Sequence, residues 1–160
     1  MNRSFAFASL LACSALAACS TAAPSTPTGV VNTPALDDFR ITEQTTLAAF
    51  NAALGQQRVN RIDELGLAEA IENTILPPWR ALRTRISAAT VPDPDRTLFV
   101  TLTRYIAERQ TSWEAYSAAL RSSDDATARP HYARYHEQSD AATTDARTLG
   151  EAFRALPSVP

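Results

Sequence analysis

From Leu65 to Ile86 the chain places Leu65, Ala68, Glu72, Ile75, Trp79, Leu82 and Ile86 at alternating steps of three and four. That spacing keeps one side of an α-helix turned toward a neighbour, so it predicts a bundle helix, started by Asn60 or Asp63 as N-cap. Pro77-Pro78 interrupt the stripe. They remove two backbone donors and clash with the preceding turn, which predicts a kink near Leu76. The stripe resumes in phase at Trp79, so a kink is expected and not a reversal.

Three further stripes flank this one. Thr33 and Pro34 read as an N-cap and first helical residue, followed by Leu36, Phe39, Leu47, Phe50 and Leu54, with Gly55 as the expected stop. Thr90-Val91-Pro92 ends the second helix, and Asp93-Pro94 starts a third on Leu98, Leu102, Tyr105, Arg109, Trp113, Tyr116 and Leu120. Ser122-Ser123-Asp124-Asp125 opens a fourth on Tyr132, Tyr135, Ser139, Ala142, Ala146, Leu149 and Phe153, with Pro130 near its start as a point of kinking or resetting. The small residues at 139, 142 and 146 favour close approach to a bulky neighbour. No run alternates with period two long enough for a strand. Short connections make sequential helices antiparallel, so the expected fold is all-α, an up-down-up-down four-helix bundle over residues 36–156.

The N-terminal stretch has a different character. Arg3 precedes Ser4 to Ala18, fifteen uncharged residues rich in Ala, Leu and Phe. A membrane-spanning helix needs roughly 20 residues, so this run reads as a secretory leader. Its end, Leu16-Ala17-Ala18-Cys19, resembles the lipobox of bacterial lipoproteins at all four positions. The resemblance implies removal of residues 1–18, a diacylglyceryl group on the Cys19 thiol, and acylation, typically palmitate, of the new amino terminus. Two or three acyl chains hold a protein at a membrane stably, where one binds reversibly. Cys13 is a competing site but would leave a nine-residue apolar region, and an ordinary cut after Ala15-Leu16-Ala17 is the other alternative. Ser20 stands where Asp would imply inner-membrane retention in enteric-type lipoproteins, so the resemblance points to the outer membrane, on its periplasmic side.

Residues 19–35 follow as the lipidated cysteine and a tether. Ser20 to Pro34 carry no charge and are mostly Ser, Thr, Ala and Pro, too little apolar surface to offset ordering entropy. Extended, these fifteen residues reach about 50 Å at roughly 3.3 Å each.

Without residues 1–18 the chain keeps 142 residues, all 17 acidic groups and 14 of its 15 Arg, for a net charge of −3. This argues against a nucleic-acid partner and against a basic grip on anionic lipid by the domain's overall charge. Cys19 is the sole remaining cysteine, so the domain depends on an apolar core and not a disulfide.

Candidate chemistry is sparse. Glu72 and Arg109 both fall on apolar stripes. Folding the chain about residues 90–95 brings them to similar heights, which predicts a partly buried structural ion pair; the competing expectation is Arg109 lying along Trp113. His131, His136, Glu137 and Asp140 form the histidine-bearing cluster, and His136 and Asp140, one turn apart, are its candidate metal ligands. The Glu-x-x-His pairs of di-iron bundles, haem attachment motifs, Gly-x-Ser-x-Gly and Ser-x-x-Lys elements and phosphate-binding glycine loops are all missing, so neither cofactor nor catalysis is expected. Pro78-Trp79-Arg80 and the Tyr105, Arg109, Trp113 spacing resemble patterns in small helical envelope lipoproteins. The expected role is therefore a membrane-anchored, periplasm-facing lipoprotein that binds a protein or cell-wall partner. The alternative is a helical bundle binding a small molecule or metal.

Overall fold

The computed structural model of the chain describes residues 33–91 and 93–155. The leader, Leu16, Ala17, Ala18, Cys19 and the tether up to residue 32 lie outside them. Among the described residues there are four helices and no strand. Helix α1 is Thr33–Arg58. Helix α2 runs without a break through Glu64–Ala70, a π-helical turn Ile71–Ile75, and Leu76–Ala88. A 3-10 turn Asp93–Asp95 leads into α3, Arg96–Leu120, and α4 is Asp125–Ala155.

Their ends follow from local chemistry. Gly55 does not stop α1; the helix passes through it to Arg58 and ends at Asn60, whose φ of 55° is left-handed. There Arg61 N–H donates to the Gln56 carbonyl and Asn60 N–H to that of Gln57, both at 2.9 Å. This is the Schellman pattern, with Asn in the role more often taken by Gly. Asp63 caps α2, its Oδ1 accepting from Gly66 N–H at 2.8 Å. Asp124 caps α4 by accepting from the N–H and hydroxyl of Thr127 at 2.9 and 3.0 Å. Pro130 is accommodated inside α4 without ending it.

The interruption expected at Pro77-Pro78 takes the form of the π turn just upstream. Leu76 carries the last N–H before the prolines, and it donates to Ile71, five residues back. A π turn advances each residue by less than the roughly 100° of an α-helix. Ile71, Ile75 and Trp79, two successive steps of four, therefore all stay on the core, with Leu67, Ala68, Leu76, Leu82 and Ile86. Upstream of it the buried face is rotated from the even stripe: Leu65 is 50% exposed and Glu72 is only half-buried.

Side-chain pairs fix the topology as up-down-up-down. Asp38 meets Arg85 and Thr46 meets Trp79 between α1 and α2; Arg80 meets Glu114 and Glu72 meets Arg121 between α2 and α3; Arg104 meets Asp145 and Tyr116 meets Tyr132 between α3 and α4. In each pair of helices one number falls as the other rises, the mark of antiparallel neighbours. Phe39 meets Tyr105 and Phe50 meets Trp113, so α1 and α3 run parallel across the core. The α3–α4 seam is the most extensive, and Ala142, fully buried within it, is one of the small residues expected there.

One α1 position departs from its stripe. Leu47 is exposed, and Thr42 and Thr46 take the core positions between Phe39 and Ala53. Thr46 tolerates burial because its hydroxyl donates to the Thr42 carbonyl at 2.7 Å and accepts from the indole of Trp79 at 3.0 Å.

Candidate functional site

At the centre of the bundle, Tyr105 is fully buried between Phe39 and Trp79, with ring centroids 5.6 and 6.1 Å away. Its hydroxyl donates to Glu43 Oε1 and accepts from Arg109 Nε at 3.2 Å. Burial pushes the phenol well above its ordinary pKa, and the neighbouring Arg109 charge opposes that only in part. A phenol held protonated in this way serves as a hydrogen-bond bridge between α1 and α3 and not as a base or nucleophile.

Arg109 is thus engaged with Tyr105, and the expected Glu72–Arg109 pair is not formed. Glu72 instead accepts from Arg121 Nε and Nη2 at 2.7 and 2.6 Å and from the Ser117 hydroxyl at 2.5 Å. The reason is angular. Ser117 and Arg121 lie eight and twelve residues beyond Arg109, which turns them about 80° and 120° around α3 at roughly 100° per residue. Arg109 faces α1, while Ser117 and Arg121 face the rotated flank of α2. Arg121 holds the Glu72 carboxyl below its usual range. Both side chains touch solvent, at 35% and 41% exposure, so the pair is of the surface type that contributes little.

Among the described residues, an ion pair with one buried partner lies elsewhere. Asp145 on α4 is 5% exposed and receives Arg104 Nε and Nη2, both at 2.5 Å. Glu108, one turn along α3, has a buried Oε2 with no partner among the described residues. Burial pushes its carboxyl up, the Asp145 charge adds to this, and Arg104 offsets part. Nothing in the α4 stripe marked Asp145. An acid at 145 lying between Ala142 and Leu149, three and four residues away, is the signal that points to it.

The feature with the shape of a binding surface is aromatic. The ring of Phe50 lies 4.5 Å from that of Trp113, tilted to it, and 6.2 Å from that of Tyr116, edge-on; Tyr116 lies 6.2 Å from Tyr132 and 4.7 Å from Tyr135 in a near-parallel stack; Tyr135 lies 5.1 Å from His136. Phe50, Tyr116, Tyr132 and Tyr135 are each half-buried and His136 is exposed, so the rings form one strip across α1, α3 and α4. Trp113 beneath it has a buried Nε1 without an acceptor among the described residues, and Gln110 Oε1, a turn away, is likewise buried without a donor among them. The sequence expectation that these rings face the core holds for Trp113, which is buried in it, and for Phe50 and Tyr116, which pack against it; Tyr132 and Tyr135 extend the row to a half-buried rim.

His136 and Asp140 are both solvent-exposed, and no group of three or more potential ligands is assembled among the described residues. A shallow groove of about 540 Å³ lies near the α2–α3 turn, lined mainly by apolar side chains, among them Ile86, Phe99 and Val100, with Ser87, Thr103, Arg96 and Arg104 as its polar members. No described helix is long and apolar enough to cross a membrane. No family model, curated protein or solved structure matches the chain.

Proposed function

We propose that the chain is a lipid-anchored protein of the bacterial cell envelope, attached through Cys19 to the periplasmic side of the outer membrane. In this reading its bundle binds a protein or cell-wall partner and catalyses no reaction. The anchor is supported by Leu16-Ala17-Ala18-Cys19 and the uncharged tether behind them. The binding role is carried by one observation, the half-buried aromatic strip Phe50, Tyr116, Tyr132 and Tyr135, whose remaining accessible ring surface is contiguous. Aromatic rings are enriched where proteins meet partners, because each buries a large area with little loss of side-chain freedom.

Two measurements test the reading. Cys19→Ser should abolish metabolic labelling with a palmitate analogue and, in a chain that starts at position 19 behind an ordinarily cleaved leader, release the protein from the membrane fraction; unchanged labelling, or unchanged retention of that leaderless form, overturns the anchor. A photo-crosslinking residue at position 135 in the full chain should trap one discrete adduct in cells, absent when it is placed at exposed Glu151. Equal or no trapping at both positions overturns the strip as the binding surface.

A further inference from the structure

The antiparallel topology gathers the start of α1, the end of α2, the start of α3 and the end of α4 at one end of the bundle. Thr33 is there, so the tether joins the bundle at that end. From Cys19 it spans fourteen residues, at most about 46 Å at roughly 3.3 Å each. The groove at the α2–α3 turn occupies the same end. Its walls are mainly apolar, from the buried side chains of Ile86 and Phe99 to Val100, which is 59% exposed, with Ser87 and Thr103 as the uncharged polar members.

Only two of its lining residues are charged, and both are arginines. Arg96 commits a single nitrogen, Nη2, to Asp93, and Arg104, 57% exposed, commits Nε and Nη2 to Asp145 and keeps Nη1 for a further acceptor. No carboxylate lines the groove itself. An apolar slot with guanidinium donors at its rim matches an acyl chain joined to an anionic head group.

Resting on the reading of a membrane-tethered chain, we propose that this groove seats an acyl chain of an anionic phospholipid in the membrane that holds the anchor. Val100 and Phe99 meet the chain, and Arg96 and Arg104 meet the phosphate. The tethered end then faces the bilayer, and the Tyr116–Tyr135 region, toward the opposite end of α3 and the start of α4, faces away from it. The net negative charge of the whole domain opposes non-specific adsorption, so the contact depends on this local site.

The test uses the mature chain from position 19 onward carrying Cys19→Ser, so that neither the acyl groups nor the apolar leader Ser4 to Ala18 can bind lipid in place of the groove. The expected result is co-flotation with phosphatidylglycerol vesicles, weaker co-flotation with phosphatidylcholine vesicles, and loss of binding as salt rises. Val100→Asp, at an exposed position that folding tolerates, should weaken binding about tenfold or more by placing a charge against the acyl chain. Leu65→Asp, at the opposite end, should leave it unchanged. Failure to float with phosphatidylglycerol, equal loss in both variants, or a self-association that Val100→Asp abolishes without any lipid binding overturns the proposal. A palmitate-labelled wild type whose Cys19→Ser form ignores vesicles refutes the groove and leaves the anchor intact; lipid binding without labelling refutes the anchor alone.

Discussion

The indole of Trp79 on α2 donates its N–H to the hydroxyl of Thr46 on α1 at 3.0 Å, with both side chains buried. The same hydroxyl donates to the carbonyl of Thr42, so one threonine satisfies itself and the largest core side chain together. A polar residue thus occupies a core position because a tryptophan needs an acceptor there.

Thr46→Val keeps the shape but leaves Trp79 Nε1 without a partner in the core. The expected loss is about 1–3 kcal/mol, the desolvation cost of an unmatched buried donor. Thr46→Ser should retain most of the stability. Chemical denaturation followed by Trp fluorescence distinguishes the two, and equal stability of Val and Ser variants would refute the role.

Arg104 and Asp145 should respond unequally to truncation. Asp145 is buried while Arg104 is largely solvated. Removing Arg104 strands a carboxylate in the α3–α4 seam, whereas removing Asp145 leaves an arginine that water still reaches. Arg104→Ala should therefore lower the urea midpoint more than Asp145→Asn. The reverse order would show that the seam tolerates an unpaired acid.

Which features were legible follows from what a stripe encodes. The four helices, the antiparallel order and the Asp63 and Asp124 caps are local, and hydrophobic spacing with capping residues carries them directly. Glu72 and Arg109 failed as a pair because facing across helices depends on rotation about the axis, and the π turn at 71–75 rotates the upstream part of α2. Leu47 failed because period alone could not reveal that Thr46 would be fixed by Trp79. That Tyr116, Tyr132 and Tyr135 are only half-buried depends on which helices leave a rim, a property of the assembly and not of any one helix.

Glu108 sets a pH dependence on the acidic side. Its folded-state pKa is raised, first by burial and then by the Asp145 charge, with Arg104 opposing. The folded state therefore binds the proton more tightly than the unfolded chain. The group lowers stability above its folded pKa, and that penalty disappears as pH falls below its ordinary value of 4.5. Glu108→Gln should raise the urea midpoint at pH 7, with the gain vanishing below about pH 4.5. A gain independent of pH would assign the effect to packing instead.

Tyr105 sets the alkaline limit. Its folded-state pKa is raised, chiefly by burial, and that of Tyr116 is raised by burial and by the neighbouring Tyr132 and Tyr135. Above the ordinary phenol value of 10.0 the unfolded chain loses these protons while the folded chain keeps them. The contribution of both groups to stability is therefore full below pH 10 and is lost as pH rises toward their folded values. Denaturation midpoints should fall steeply above about pH 10, where unfolded phenols ionise. Tyr105→Phe should make that fall shallower, while costing about 1 kcal/mol at pH 7 through loss of the bridge between Glu43 and Arg109. Because the phenylalanine cannot ionise in either state, the wild-type and variant curves should converge as pH increases. Parallel curves from pH 7 to 11 would show that Tyr105 ionises as readily in the bundle as outside it.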